Sequence, residues 1–240
     1  MIFWLFRKFR RRRLLERPFP DHWREILTEH YPFYQKLQDE DRQAFHDHLK
    51  VFLWEKHWEG AAGLEVTEEM KVLISAAAAR IAREMDLSVY NRLTEIVIYP
   101  SHYFHPDRRD RIVLGQAHNF GTLVLSWDAV RQGISVPDDA RDTAIHEFAH
   151  VLDAESGRFD GTPLLAHGRD YPRWSDVMGR HFARLQQDPF QGCLRAYGAT
   201  NSAEFFAVAT EAFFETPTQL RHCAPDLYDL LADYFGIDPI

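Results

Sequence analysis

Cysteine is scarce in this chain. Cys193 and Cys223 are its only two, and they do not stand in metal-type spacing. That excludes a disulfide-dense scaffold as the organising principle and predicts two free thiols in a reducing compartment, hence a cytoplasmic protein. Long apolar runs are missing as well. No stretch approaches the roughly 18 apolar residues of a membrane span. Positive charge is in deficit: 28 Lys and Arg face 36 Asp and Glu, a net charge of −8. This argues against a nucleic-acid binder working through general electrostatics. Internal repeats and a clear inter-domain linker are also absent.

Hydrophobic residues make up 45 % of the 240 residues, enough for a sizeable core. Residues 1–17 form a basic and aromatic tail, and residues 18–240 are read as a single domain. The tail has six cations and no acid before Glu16. Its apolar part precedes the charge, the reverse of a secretory signal, and is too short for one. Aromatics beside an arginine block could lie on an anionic membrane surface. The plainer reading is a disordered basic tail, because one short segment gives marginal membrane affinity.

From Pro20 to about Met85 the pattern is helical. Leu37, Phe45, Leu49, Phe52 and Leu53 recur near helical spacing, and Thr67 is a plausible N-cap followed by Glu68 and Glu69. Its alanine run, Ala76 to Ala79, predicts a tightly packed helix. His46 and His48 point in different directions on a helix and are read as surface histidines. The period then changes. Glu95 to Tyr99 and Gly121 to Trp127 read as strands, with a shorter one at Arg111 to Gly115. His118, between the last two, is read as structural or exposed. Arg158 to about Trp174 is a long polar loop of the kind that is often functional. Helices follow at Asp176 to Gln187, after Asn201 or Ser202, and at Pro225 to Tyr234.

The most informative stretch is Thr143 to Asp153, which holds H-E-x-x-H. On a helix His146 and His150 lie one turn apart on one face, so both imidazoles can reach one metal ion. Glu147 sits where it can take a proton from a metal-activated water. This is the metallopeptidase pattern, and the metal it implies is zinc, one per chain. Pro137, Asp138 and Asp139 supply start signals and Gly157 a stop. With 13 histidines in the chain, the bland reading is an amphipathic helix with core or surface histidines.

A zinc hydrolase needs a third protein ligand and an open position. The apolar helix after Asn201 carries Glu204 and Glu211 on one face, and a carboxylate inside so apolar a helix needs a reason. Glu204 is the candidate ligand, although Asn201-x-x-Glu204 also has the form of a capping box that needs no metal. Glu211 is the competing ligand or a supporting acceptor behind one. Asp153, one turn after His150, could fix an imidazole tautomer or be an exposed acid near a helix end. Tyr197 could donate to an oxyanion or be a packed loop tyrosine.

The run H-E-F-A-H-V-L-D from His146 to Asp153, followed by Y-G-A-T-N-S-A-E-F-F-A-V-A-T-E from Tyr197 to Glu211, resembles the Mlc titration factor A family of zinc-dependent peptidases. Over these motifs the chain is also similar to the catalytic domain of anthrax lethal factor. The resemblance implies His146, His150 and Glu204 as zinc ligands, Glu147 as catalytic base and Tyr197 as transition-state donor. It further implies an α+β, predominantly helical, gluzincin-like fold with a small sheet beside the active-site helix, and aminopeptidase activity on a peptide or protein substrate. Family members bind a transcriptional repressor, so the rival reading is a non-catalytic regulatory protein that titrates one. An intact Glu147 argues against that rival, since a structural metal site has no use for a base. The arginine-rich N-terminus departs from the family pattern.

Overall fold

The computed structural model describes residues 2–105, 108–113, 115–118, 121–190 and 192–240, without the side chains of residues 2–5 and 103–120. His118 therefore lies outside the described side chains.

The chain runs α1 (Ile2–Leu15), α2 (Asp21–His30), α3 (Pro32–Lys36), α4 (Asp39–Glu55), β1 (His57–Gly60), α5 (Glu68–Ala82) and β2 (Glu95–Tyr99). Then come β3 (Tyr103–His105), β4 (Arg108–Val113), β5 (Gly115–His118), β6 (Thr122–Ser126), α6 (Trp127–Ser135) and α7 (Thr143–Ala154). The rest is helical: α8 (Tyr171–Gln187), α9 (Ser202–Glu215), α10 (Pro217–Cys223) and α11 (Pro225–Phe235). No described helix is long and apolar enough to cross a membrane.

The sheet is small. β1, β2 and β6 are parallel, with Ile96 opposite Leu123 and Ile98 opposite Leu125, and β5 pairs antiparallel with β6. Alternation puts Ile96, Ile98, Leu123 and Leu125 on one fully buried face. α5 packs against α2, α4 and α7, and α7 also packs against β5, β6, α6 and α9. The alanine run of α5 is buried: side chains this small let neighbouring helices approach closely. Thr67 Oγ1 accepts from Met70 N at 3.2 Å and starts that helix as its residue type predicts.

Several expectations are corrected. The stretch from Pro20 to Met85 is not wholly helical, because β1 interrupts it. Its four residues owe their strand state to pairing with β2, which no local pattern announces. β6 lies inside the sheet, whose order β1-β2-β6-β5 puts β1 and β5 at the edges. His46 and His48 are buried, not surface residues. They do point apart, but α4 is covered on both sides. His46 pairs through Nε2 with the Tyr34 hydroxyl at 2.9 Å and stacks on Phe19. Burial, with Arg24 and Arg42 nearby, pushes its pKa down to about 4. His48 Nε2 donates to the Met85 carbonyl at 3.1 Å.

The two cysteines are not free thiols. Cys193 and Cys223 form a disulfide across 30 residues of sequence, with Cα atoms 6.4 Å apart, inside the range a disulfide needs. The argument for a reducing compartment loses its premise. The basic tail is not disordered either: residues 2–15 are the helix α1, lying along α4.

Candidate metal centre

α7 begins at a cap three residues later than the start signals at Pro137 to Asp139. Asp142 Oδ1, buried and extended in backbone, accepts from Ile145 N at 3.0 Å. Ala144, Ile145, Phe148, Ala149 and Leu152 are buried in the core, which leaves His146 and His150 together on the face toward α9. Their ring centroids lie 4.8 Å apart with the planes near perpendicular. Glu147, between them in sequence, is buried at 6 % exposure.

α9 is capped by Asn201, whose Oδ1 accepts from Glu204 N at 3.0 Å. Half of a capping box is therefore present. The other half is not: among the described residues the Glu204 carboxylate makes no return bond to Asn201. It turns instead to α7, where Oε2 stands 3.0 Å from His146 Nε2 and 3.4 Å from His150 Nε2. One ligand atom from each of the three residues falls within 4.8 Å of the others.

These spacings fit a metal. Four ligands at 2.0–2.1 Å in a tetrahedron sit about 3.3 Å from one another, and the observed 3.0 and 3.4 Å bracket that edge. The chemistry of the donors agrees. Glu211, 2 % exposed, faces His146 Nδ1 through Oε2 at 3.1 Å. A carboxylate there holds the ring proton on Nδ1, so Nε2 presents a lone pair to the Glu204 oxygen. Two acceptors facing each other in a buried site require a cation or a proton between them. Burial alone would lower the His146 pKa, but the hydrogen bonds to Glu204 and Glu211 outweigh it and raise it to about 10. Burial likewise works against ionised Glu204, yet the two imidazoles hold it well below the usual carboxylate range. The three donors are thus a group that could hold a metal ion.

Tyr197 lies in a 3-10 turn, Ala196–Ala199, just before α9. It is 42 % exposed, and its ring centroid is 5.9 Å from that of His146. Asp153 lies at the other end of α7, and among the described residues it bonds no imidazole. Its Oδ2 accepts from Gly161 N at 2.8 Å, and Gly161 O accepts from Trp174 Nε1 at 3.0 Å. Gly161 has φ +79°, and a Cβ there would come within 2.3 Å of the Ser202 carbonyl, so only glycine fits. Asp153 thus fastens the loop after α7 to the start of α9, and Glu211 faces His146; that loop is shorter than expected, because α8 begins at Tyr171 and not at Asp176.

Two residues escaped the sequence reading. Arg195, two residues before Tyr197, forms an ion pair with Glu211. Phe159, with φ +54°, lays its ring 5.1 Å from that of His150. Nothing local marks either one, since both act through contacts with residues distant in sequence.

Two histidines and a glutamate on facing helices, with a glutamate beside the first histidine, are the donor set of a metallopeptidase. The comparisons place the chain more closely. The family model described as glucose-regulated metallo-peptidase M90 matches residues 6–236, and the chain belongs to that family. An uncharacterized protein of Synechocystis sp. is 32 % identical, covering 97 % of this chain and 90 % of its own. Mlc titration factor A of Cronobacter sakazakii is 27 % identical over 92 % of this chain and 88 % of its own. That of Pectobacterium atrosepticum is 26 % identical over 92 % and 87 %.

Proposed function

We propose that the protein is a zinc-dependent peptidase with aminopeptidase-like specificity, in which His146, His150 and Glu204 hold the metal. The observation that carries this reading is the triangle of two Nε2 atoms and one carboxylate oxygen at 3.0 and 3.4 Å, with buried Glu147 next to it. Zinc, when bound, supplies Lewis-acid activation of the water and the scissile carbonyl. The chain's own residues do the rest. Glu147 takes the proton of the attacking water and later delivers it to the leaving amine nitrogen. The hydroxyl of Tyr197, whose ring lies 5.9 Å from that of His146, donates to the carbonyl oxygen as negative charge develops there. Glu211 keeps the proton of His146 on Nδ1. The outer edge of β5, which packs beside α7 and pairs on one side with β6, offers backbone groups to an extended peptide. The gluzincin-like fold is part of the same proposal, as is the reading of residues 18–240 as one catalytic domain.

Glu147→Gln should fold and keep its metal while hydrolysis of peptides with a free N-terminus falls by about 10²–10⁴-fold. Metal analysis and a panel of free and N-blocked peptides check this. Cleavage near the wild-type rate would remove Glu147 as the base, and equal cleavage of blocked peptides would remove the aminopeptidase assignment. A second reading rests on the name of two relatives, Mlc titration factor A: the chain binds and titrates a transcriptional repressor. In that case Glu147→Gln retains repressor binding, and no peptide in the panel is cleaved by either form.

A further inference from the structure

Charge is distributed very unevenly along this chain. Residues 1–17 hold seven Lys and Arg against Glu16 alone, while the remaining 223 residues hold 21 cations and 35 acids. A segment of net charge +6 thus sits on a body of −14. Most of the segment is the helix α1, Ile2–Leu15, with two distinct faces. Its inner face is tied to α4: Arg11 donates to both oxygens of Glu55 at 2.9 and 2.7 Å and to Asn91 Oδ1 at 2.7 Å. Arg7 stands 3.7 Å from the same carboxylate. Lys50 Nζ caps the helix end through the carbonyls of Leu15 and Arg17. The outer face carries Phe6, Phe9, Arg10 and Arg13 at i, i+3, i+4 and i+7. Phe6 is 66 % and Phe9 57 % exposed, and the Arg13 guanidinium lies over the Phe9 ring at 4.7 Å. Trp54, the neighbour of Glu55 on α4, is 58 % exposed.

We propose that the outer face of α1, formed by Phe6, Phe9, Arg10 and Arg13, is a docking surface for an anionic phospholipid bilayer. Aromatic rings and guanidinium groups on one face of a helix are suited to lie in the plane of the headgroups, with the rings at the acyl boundary and the cations at the phosphates. The order of the segment favours lipid over nucleic acid. Five consecutive apolar residues, Ile2 to Phe6, precede the cations, and a phosphate backbone has no use for an apolar end. The ion pairs to Glu55 matter because they present the stripe as a preformed helix, so no folding cost is added on contact. The association is peripheral and reversible. A single short helix gives marginal affinity, and the acidic body is repelled by the same surface that attracts α1.

The test uses the full-length protein in co-sedimentation with vesicles of phosphatidylglycerol and phosphatidylcholine, against pure phosphatidylcholine. Binding is expected only to the anionic vesicles and is expected to collapse between low and 0.5 M salt, as roughly a 4 Å screening length dictates. Arg10→Gln with Arg13→Gln should weaken partition about twenty-five-fold, from about fivefold per cation. Phe6→Ser with Phe9→Ser should weaken it at least about tenfold. All four residues are solvent-facing, so both variants should retain the wild-type melting temperature and peptide cleavage. No sedimentation with anionic vesicles at low salt would overturn the proposal, as would undiminished binding by either double variant. Tighter binding to DNA or RNA at equal phosphate concentration would assign the face to nucleic acid instead.

Discussion

The two ends of α9 each hold a glutamate packed into the protein, and their surroundings drive the two carboxyls in opposite directions. Glu204, in the first turn, faces two imidazoles and is held well below the usual carboxylate range despite burial. Glu215, at the last residue and 4 % exposed, faces one guanidinium, with Arg80 Nη1 at 2.8 Å. Here burial is the largest influence, and Asp142 and Asp139 add repulsion. Together they outweigh Arg80 and push its pKa up to about 8. The helix dipole works in the same senses, favouring an anion at the N-terminus and opposing one at the C-terminus. The two sites are some 16 Å apart along the helix. One has the donors of a metal site. The other is a structural pin: Arg80, on α5, also donates to the Phe214 carbonyl and stacks on Phe33. It is coupled electrostatically to Asp142, the cap of the metal-site helix. A buried glutamate on an apolar helix is therefore no signature of a metal; its partners decide.

The sharpest way to break the comparison is to remove the acid at the metal end. Glu204→Gln should lose metal affinity by several orders of magnitude and with it peptide cleavage. A metal titration in which this variant retains zinc and Glu211→Gln loses it would reverse the ligand assignment. At the other end, Arg80→Met should cost about 1–3 kcal/mol in urea unfolding, because it leaves the Glu215 carboxyl and the Phe214 carbonyl without their buried hydrogen-bond donor. Its metal affinity should be unchanged, and a parallel loss of metal would show that the two ends are one site. Glu211→Gln should be milder, weakening metal affinity by about 10–100-fold. Arg195→Ala should act in the same direction and Arg195→Lys should restore part of it, since the ion pair with Glu211 is what the lysine can rebuild.

A further test is a pH dependence. Glu215 holds its proton up to about pH 8 in the folded chain and releases it near 4.5 when unfolded. Between those values the folded state binds more protons, so this group's contribution to stability falls as pH rises from about 5 through 8. In Glu215→Gln that fall should vanish. The stability of the variant relative to wild type should climb across the same window, and a constant difference would place the Glu215 pKa near its ordinary value.

Comparison with the sequence reading shows which kinds of information are local. H-E-x-x-H specifies its own geometry, because a helix brings i and i+4 together wherever it sits, and the apolar stripe beside it says which way the helix packs. The cap of α9 was legible as Asn201 or Ser202 for the same reason, and it is Asn201. Glu204 was legible only as one of two possibilities. A capping box and a ligand look identical until the carboxylate is seen to turn toward α7. Arg195, the Cys193–Cys223 pair and the burial of His46 and His48 were not legible at all. Each depends on a partner far away in the chain, and no period or spacing encodes it. β1 belongs with them, since four residues become a strand only through a neighbour.

By itself, then, the sequence determined the H-E-x-x-H helix, the apolar face of α9, the strands that alternate, and membership of a metallopeptidase family through paired motifs. It did so because those features are set by residues within a few turns of one another. The tertiary structure alone decided that Glu204 meets both imidazoles, that Glu211 and Arg195 stand behind His146, and that Asp153 braces a loop. It alone decided that a basic tail becomes a helix with one face tied to Glu55. These outcomes turn on charges brought together across tens of residues inside a low-dielectric interior, where the identity of the neighbour outweighs the identity of the residue.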